Sequence, residues 1–168
     1  YIYAAAKYST HMMAKPLAVS LGVDLVWAKI TNAYGVGELS PRMLNSTIRK
    51  CINMEPPSFT AATQNYDFIY VTDVAEAFRL IAEKGSSYSE YVVGSGQAKP
   101  LRNFLEDLRL SIGNGLSFLY GNIPYTGVNL PIIQFSTETL YRDTGFKPQI
   151  AFSEGVTLTR DWLKEQEN

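Results

Sequence analysis

Apolar residues recur at helical spacing over residues 3–21, where Ala, Met and Leu dominate, and the run stops at Gly22, a natural C-terminal cap. Pro16 lies inside it and predicts a kink or weak point. Residues 23–30 are short and mostly apolar, the pattern of a strand buried on both faces. Helix, glycine turn and buried strand make the αβ half of a βαβ unit. A loop is predicted over 31–38, then a helix from Ser40-Pro41 toward Met54, with serine as N-cap and proline at the first helical position, broken by Glu55-Pro56-Pro57. Farther along, 67–71 reads as a strand, and Thr72 or Asp73 caps a helix running to Lys84 before Gly85. A strand at 91–93 ends in Gly94-Ser95-Gly96, and an amphipathic helix covers 101–112 before Gly113. Residues 116–120 suit one more strand, 121–131 form a loop with two prolines and two glycines, a short helix follows near 137–144, and Phe152-Ser153-Glu154-Gly155 opens a last helix. The alternation predicts an α/β protein. Its short strands and irregular loops after Asn32 suggest a smaller substrate-capping region more than a regular doubly wound sheet.

Composition narrows the class. With 168 residues, 46% hydrophobic and a net charge of -1, the chain buries one substantial core as one domain or part of a larger protein. The balance of 15 basic and 16 acidic residues offers no electrostatic footprint for nucleic acid or an anionic membrane. No apolar stretch reaches the ~20 residues of a membrane span, and the first residues lack a basic segment followed by an apolar run, so a soluble, cytoplasmic protein is expected. Cys51, the single cysteine, reads as a small buried residue on a helix, and with His11 the single histidine no metal site is expected.

The first candidate for chemistry is Tyr3-Ala-Ala-Ala-Lys7. A phenol and an ammonium four residues apart share a helix face, and the positive charge favours the phenolate, which makes a base. The spacing alone also fits a half-buried tyrosine beside a solvated lysine.

The remaining motifs decide between these. Lys29-Ile30-Thr31-Asn32-Ala33-Tyr34-Gly35-Val36-Gly37, Asp67-Phe68-Ile69-Tyr70-Val71-Thr72-Asp73-Val74-Ala75, Tyr91-Val92-Val93-Gly94-Ser95-Gly96 and Thr144-Gly145-Phe146-Lys147-Pro148 follow the Tyr-x-x-x-Lys block in order. Together the five blocks resemble the extended short-chain dehydrogenase/reductases, the NAD-dependent epimerase/dehydratase group acting on nucleotide sugars. The resemblance implies the C-terminal portion of a Rossmann-type NAD(P)-binding fold plus a smaller α/β substrate-binding region. Residues 1–36 would end the Rossmann-type domain and 37–168 would be mainly substrate-binding, with 67–95 returning to the Rossmann sheet.

It also implies roles. Tyr3 would be the base that takes a proton from a sugar hydroxyl, and Lys7 would hold the cofactor ribose. Ile30 would border the nicotinamide where the family commonly has proline, and Asn32 would hydrogen-bond the substrate near its phosphates, its alternative being a turn asparagine. Tyr66 stands where the family has an arginine that grips the substrate diphosphate, and the loop 121–131, where a second arginine is expected, has no basic residue. Arg42, Arg49 and Arg102 are candidates to compensate. The family's glycine-rich dinucleotide turn is not in these 168 residues, so NAD or NADP would bind only together with an N-terminal half, and the chain is expected to be a C-terminal fragment of a roughly doubled one. A homodimer is implied, with His11, Met12, Met13, Lys15 and Pro16 on or near its surface. The alternative is a catalytically silent binding or assembly module that keeps the fold.

Overall fold

The computed structural model describes residues 2–166. Helix α1, Ile2–Leu21, runs through Pro16 and ends at Gly22, whose φ of 65° only glycine adopts freely. Strand β1, Trp27–Ile30, is shorter than the predicted 23–30 and not buried on both faces: its last two residues are exposed, and its one partner among the described residues is β6, Glu90–Val93. The segment predicted as a loop holds β2, Asn32–Tyr34, which pairs in parallel with β5, Phe68–Tyr70, in the register Asn32 to Phe68 and Tyr34 to Tyr70. Two residues suffice for each of β3, Ser58–Phe59, β4, Asn65–Tyr66, β7, Lys99–Pro100, and β8, Leu119–Tyr120. Of these, β3 pairs with β8 in parallel and β4 with β7 antiparallel.

The helices differ from expectation at their starts. Helix α2, Met43–Ile52, begins after Arg42, not at Ser40-Pro41. The Asn45 amide draws Ser40 into a turn by donating to the carbonyls of Ser40 and Glu38, which spends the chain that would otherwise have been the first helical turn. Helix α3, Val71–Lys84, starts directly from β5 without a side-chain cap. Asp73 is not its cap, because its carboxylate accepts the backbone N–H groups of Gln149 and Ile150, both at 3.0 Å, and so ties α3 to the distant chain. Helices α4, Leu101–Ile112, and α5, Glu138–Thr144, stop at Gly113 and Gly145 with φ of 66° and 75°, and α6 spans Phe152–Gln166.

Strand β5 divides the interior. Its alternation sends Phe68 and Tyr70 into a core with residues of α2, α4 and α6, including Ile48, Leu105, Leu108, Val156 and Leu163. Between them, Ile69 joins a second core with Ala77, Ile81, Tyr91, Val93, Leu140 and Phe146. Cys51 is buried in the first core, as its place on α2 suggested. Helix α1 stands apart from both: Ala18 is its one buried residue, while Ile2, Tyr3, Tyr8, Met13 and Leu21 are more than 60% exposed. No helix among the described residues is long and apolar enough to cross a membrane.

Candidate functional site

The parallel pair β1 and β6 ends side by side at Ile30 and Val93, and Thr31 N–H continues the ladder to Val93 O at 3.0 Å. Beyond this carboxyl end, where parallel sheets place their ligands, lies a cavity of about 560 Å³. Ile30, Asn32 and Tyr66 all line it, so the structure brings three of the five predicted site residues together. The position of Asn32 is fixed by its Nδ2, which donates to Asp67 O at 3.0 Å. The Tyr66 ring stacks on Phe68 with centroids 5.5 Å apart, and burial, reinforced by neighbouring Tyr125, pushes its phenol above the ordinary tyrosine range. A smaller cavity of about 220 Å³ shares Asn32 and Tyr66 and reaches Asn45 and Arg42 of the α2 start.

A buried polar knot holds this end of the sheet. The Asp67 carboxylate, with no exposed surface, accepts from the Ser95 hydroxyl and from Gly96 N–H. Burial raises its pKa, and the hydrogen bonds from Ser95, Gly96 and Gln97 oppose the rise. Gly94 is required here, because a Cβ on it would stand 2.1 Å from Asp67 Oδ2 and 2.8 Å from Thr31 Cγ2. The sequence motif carrying Gly94-Ser95-Gly96 is thus a packing device at the cavity edge.

Tyr3 and Lys7 occupy consecutive turns of α1, both exposed, with Lys7 Nζ 5.7 Å from the Tyr3 ring centroid. They line neither cavity. The same helix carries His11, expected on or near a dimer surface. Its imidazole stacks on Trp27 at 4.5 Å, and Nε2 lies 3.2 Å from Glu90 Oε1, so it faces the sheet, while Met12, Met13, Lys15 and Pro16 are exposed. Glu90 also accepts from Lys29 Nζ at 2.8 Å, and that bond, ahead of the His11 charge, holds its carboxyl below the usual range. Of the arginines proposed to compensate for Tyr66, Arg42 pairs with Glu38 at 3.6 Å and the Arg102 guanidinium lies over the Tyr120 ring at 4.2 Å. No group of three His, Cys, Asp or Glu side chains among the described residues could hold a metal ion.

The profile of the NAD dependent epimerase/dehydratase family matches residues 1–94, through α1 to Gly94. The chain belongs to that family. A dTDP-glucose 4,6-dehydratase of Streptomyces niveus is 23% identical over 164 residues, covering 97% of this chain and 48% of the dehydratase. Among solved structures, the UDP-glucose 4-epimerase of Thermotoga maritima with UDP-glucose superposes with a TM-score of 0.85 at 23% identity, covering 99% of this chain and 54% of the epimerase. The NADPH complex of RMD from Pseudomonas aeruginosa gives the same TM-score at 20% identity, with 98% and 56% covered. The fold is therefore that of Rossmann-type epimerases and dehydratases, and the chain spans about half the length of these relatives.

The resemblance pointed to the loop over 121–131 for a substrate-gripping arginine, and that loop supplies one wall of the larger cavity in this epimerase/dehydratase chain, with uncharged residues. Tyr125, Val128 and Leu130 come from the loop over 121–131, brought in by Asn129 Oδ1 accepting from Asn65 N–H at 2.8 Å and by Asn65 Nδ2 donating to Leu130 O at 2.9 Å. The two asparagines lie 64 residues apart, and no local period marks such a tether.

Proposed function

We propose that this chain supplies the proton-transferring and substrate-side half of an NAD(P)-dependent epimerase or dehydratase acting on a nucleotide-sugar-like substrate. The observation that carries the reading is the Tyr3 and Lys7 pair. Both are open to a ligand, one beside the other, on the helix that leads into β1, whose far end borders the cavity holding Ile30, Asn32 and Tyr66. Tyr3, as phenolate, takes the proton from a sugar hydroxyl and returns it at the end of the cycle. The Lys7 ammonium, 5.7 Å from the Tyr3 ring centroid, donates to ribose hydroxyls. A bound NAD or NADP would supply the hydride chemistry at the same sugar carbon. Tyr3 and Lys7 fit the ribose end of such a cofactor, whereas no Gly-x-x-Gly-x-x-Gly turn for its pyrophosphate occurs in these 168 residues. Ile30 would border a bound nicotinamide, and Asn32 would offer its amide to the substrate.

In this reading residues 1–36 end the dinucleotide-binding domain, 37–168 bind mainly substrate, and 67–95 join the larger sheet. The apolar residues exposed on α1 support a homodimer, and the reading places the enzyme in the cytoplasm. A silent module that keeps the fold is the second reading, favoured by Tyr66 standing in place of an arginine. Turnover decides between them. In the intact enzyme carrying this sequence, assayed with a panel of nucleotide sugars, Tyr3→Phe lowers the rate ~10²- to 10⁴-fold while cofactor affinity is nearly kept. Unchanged turnover in Tyr3→Phe would remove this pair from the mechanism.

A further inference from the structure

Residues 121–134 are exposed throughout, yet Tyr125, Val128 and Leu130 among them wall the larger cavity. A surface segment keeps one such place only where specific bonds tie it. Part of the tie is internal. The Tyr125 hydroxyl donates to Val128 O at 2.9 Å, and its ring folds back so closely that a Cβ on Gly127 would stand 2.7 Å from Tyr125 Oη. The rest reaches the body through Asn65 of β4, the residue before Tyr66, which gives the loop two donors. Its backbone N–H donates to Asn129 Oδ1 at 2.8 Å, and its Nδ2 donates to Leu130 O at 2.9 Å. Each bond has a backbone group as one partner, and this fixes the orientation of both amides: Asn129 serves as an acceptor and the Asn65 side chain as a donor. Asn129 itself lines neither cavity, so whatever it does for a ligand there it does through the loop.

We propose that Asn65 and Asn129 are positioning residues, a latch that sets the loop over 121–131, with Tyr125 and Leu130, as the wall against which a ligand in the larger cavity is held. The inference rests on the reading above for the ligand, a nucleotide-sugar-like molecule, and adds how its site is completed. With the latch closed, the wall is formed before the ligand arrives and none of the binding energy goes into ordering it; with the latch open, part of that energy is spent recapturing the loop. Tyr3 and Lys7 sit on α1, outside this wall, so opening the latch weakens binding and leaves the proton transfer as it was.

The experiment uses the intact enzyme carrying this sequence and reads amide exchange by mass spectrometry, then KM and kcat with UDP-glucose and dTDP-glucose. Asn129→Ala removes the acceptor of the Asn65 N–H. Exchange in peptides spanning Asn65 should quicken about fivefold, the equivalent of one neutral hydrogen bond, and KM should rise about fivefold with kcat kept within about twofold. Asn129→Asp keeps an acceptor oxygen at the same place and should restore slow exchange, a rescue that a merely loosened loop would not show. Unchanged exchange in Asn129→Ala, or no rescue by Asn129→Asp, overturns the latch. Quickened exchange with KM unmoved overturns its part in holding a ligand. Where the enzyme turns over neither sugar, their affinities by calorimetry take the place of KM, and binding of neither overturns the proposal. An active Tyr3→Phe with the Asn129 variants behaving as expected sinks only the catalytic reading, and an inactive Tyr3→Phe with unchanged exchange in Asn129→Ala sinks only this inference.

Discussion

Gly155→Ala sets two opposed effects against each other inside α6. Alanine is the better helix former by about 1 kcal/mol, so on propensity the substitution should stabilise the protein. The added methyl, however, would stand 2.2 Å from Tyr34 Oη and 2.8 Å from Tyr70 Cδ2, closer than carbon atoms approach. Tyr34 cannot withdraw cheaply. Its ring is fixed edge-on to Phe68 and Tyr70 at 6.2 and 5.5 Å and against Phe152 at 5.4 Å, and its hydroxyl donates to Phe152 O at 3.1 Å. Overpacking costs ~2 kcal/mol, and stranding a buried hydroxyl costs ~2 kcal/mol more. The net expectation is a loss of about 3 kcal/mol, or a Tm lower by roughly 6–12 °C for a chain of this size. Urea unfolding followed by far-ultraviolet circular dichroism, with calorimetry for Tm, measures it. Adding Tyr34→Phe removes the atom struck at 2.2 Å and should recover ~1 kcal/mol or more. A Gly155→Ala protein as stable as the wild type would refute the reasoning, because the close approach of α6 to Tyr34 would then not constrain the fold.

Two further outcomes are expected. Glu106 accepts from the Tyr120 hydroxyl at 2.7 Å and from Arg109 Nε at 2.8 Å, and the first of these leads in holding its carboxyl below the usual glutamate range. Its contribution to stability is therefore present above the unfolded value of about 4.3 and lost as pH falls through the lowered folded value; Glu106→Gln should flatten that acid limb in unfolding curves taken from pH 6 to pH 3, and an unchanged limb would dismiss the contact as stabilising. His11→Ala deletes the ring stacked on Trp27 and the contact to Glu90, so Trp27 emission should shift and amide exchange in α1 should quicken, whereas unaltered exchange would mean that other contacts hold the helix.

Much of the fold was legible because it is local. The helices α4 and α5 carry their apolar stripe and end at glycines, Gly113 and Gly145, whose positive φ follows from the turn they make. Strands β3, β4 and β7 were not legible, since two residues paired across a distant segment leave no period to read. Strand β2 was mistaken for loop because Gly35 and Gly37 follow it closely, and only its pairing with β5 makes it extended. In the site, ordered motifs pointed to Ile30, Asn32 and Tyr66, which do meet in one cavity, while Tyr125 arrives through an asparagine tether invisible to any window of sequence. The contacts of His11 with Trp27 and Glu90, from two strands far apart in the chain, were likewise not legible in its position on α1.

The strand pairings set a timetable for the nascent chain. Lys29 of β1 meets Glu90 of β6 across 61 residues, and Tyr34 meets the α6 start across 118. At a synthesis rate of ~5–20 residues per second, β1 emerges several seconds before its partner, and the pocket for Tyr34 closes roughly 6–24 s after Tyr34 is made. Through that interval both edges of β1 and the apolar faces of β2 remain unpaired, so non-local pairing, slow in its own right, is delayed further by the order of translation. Folding of this chain is thus gated by its own last helix, and chaperone engagement during synthesis should fall in the window before α6 is complete.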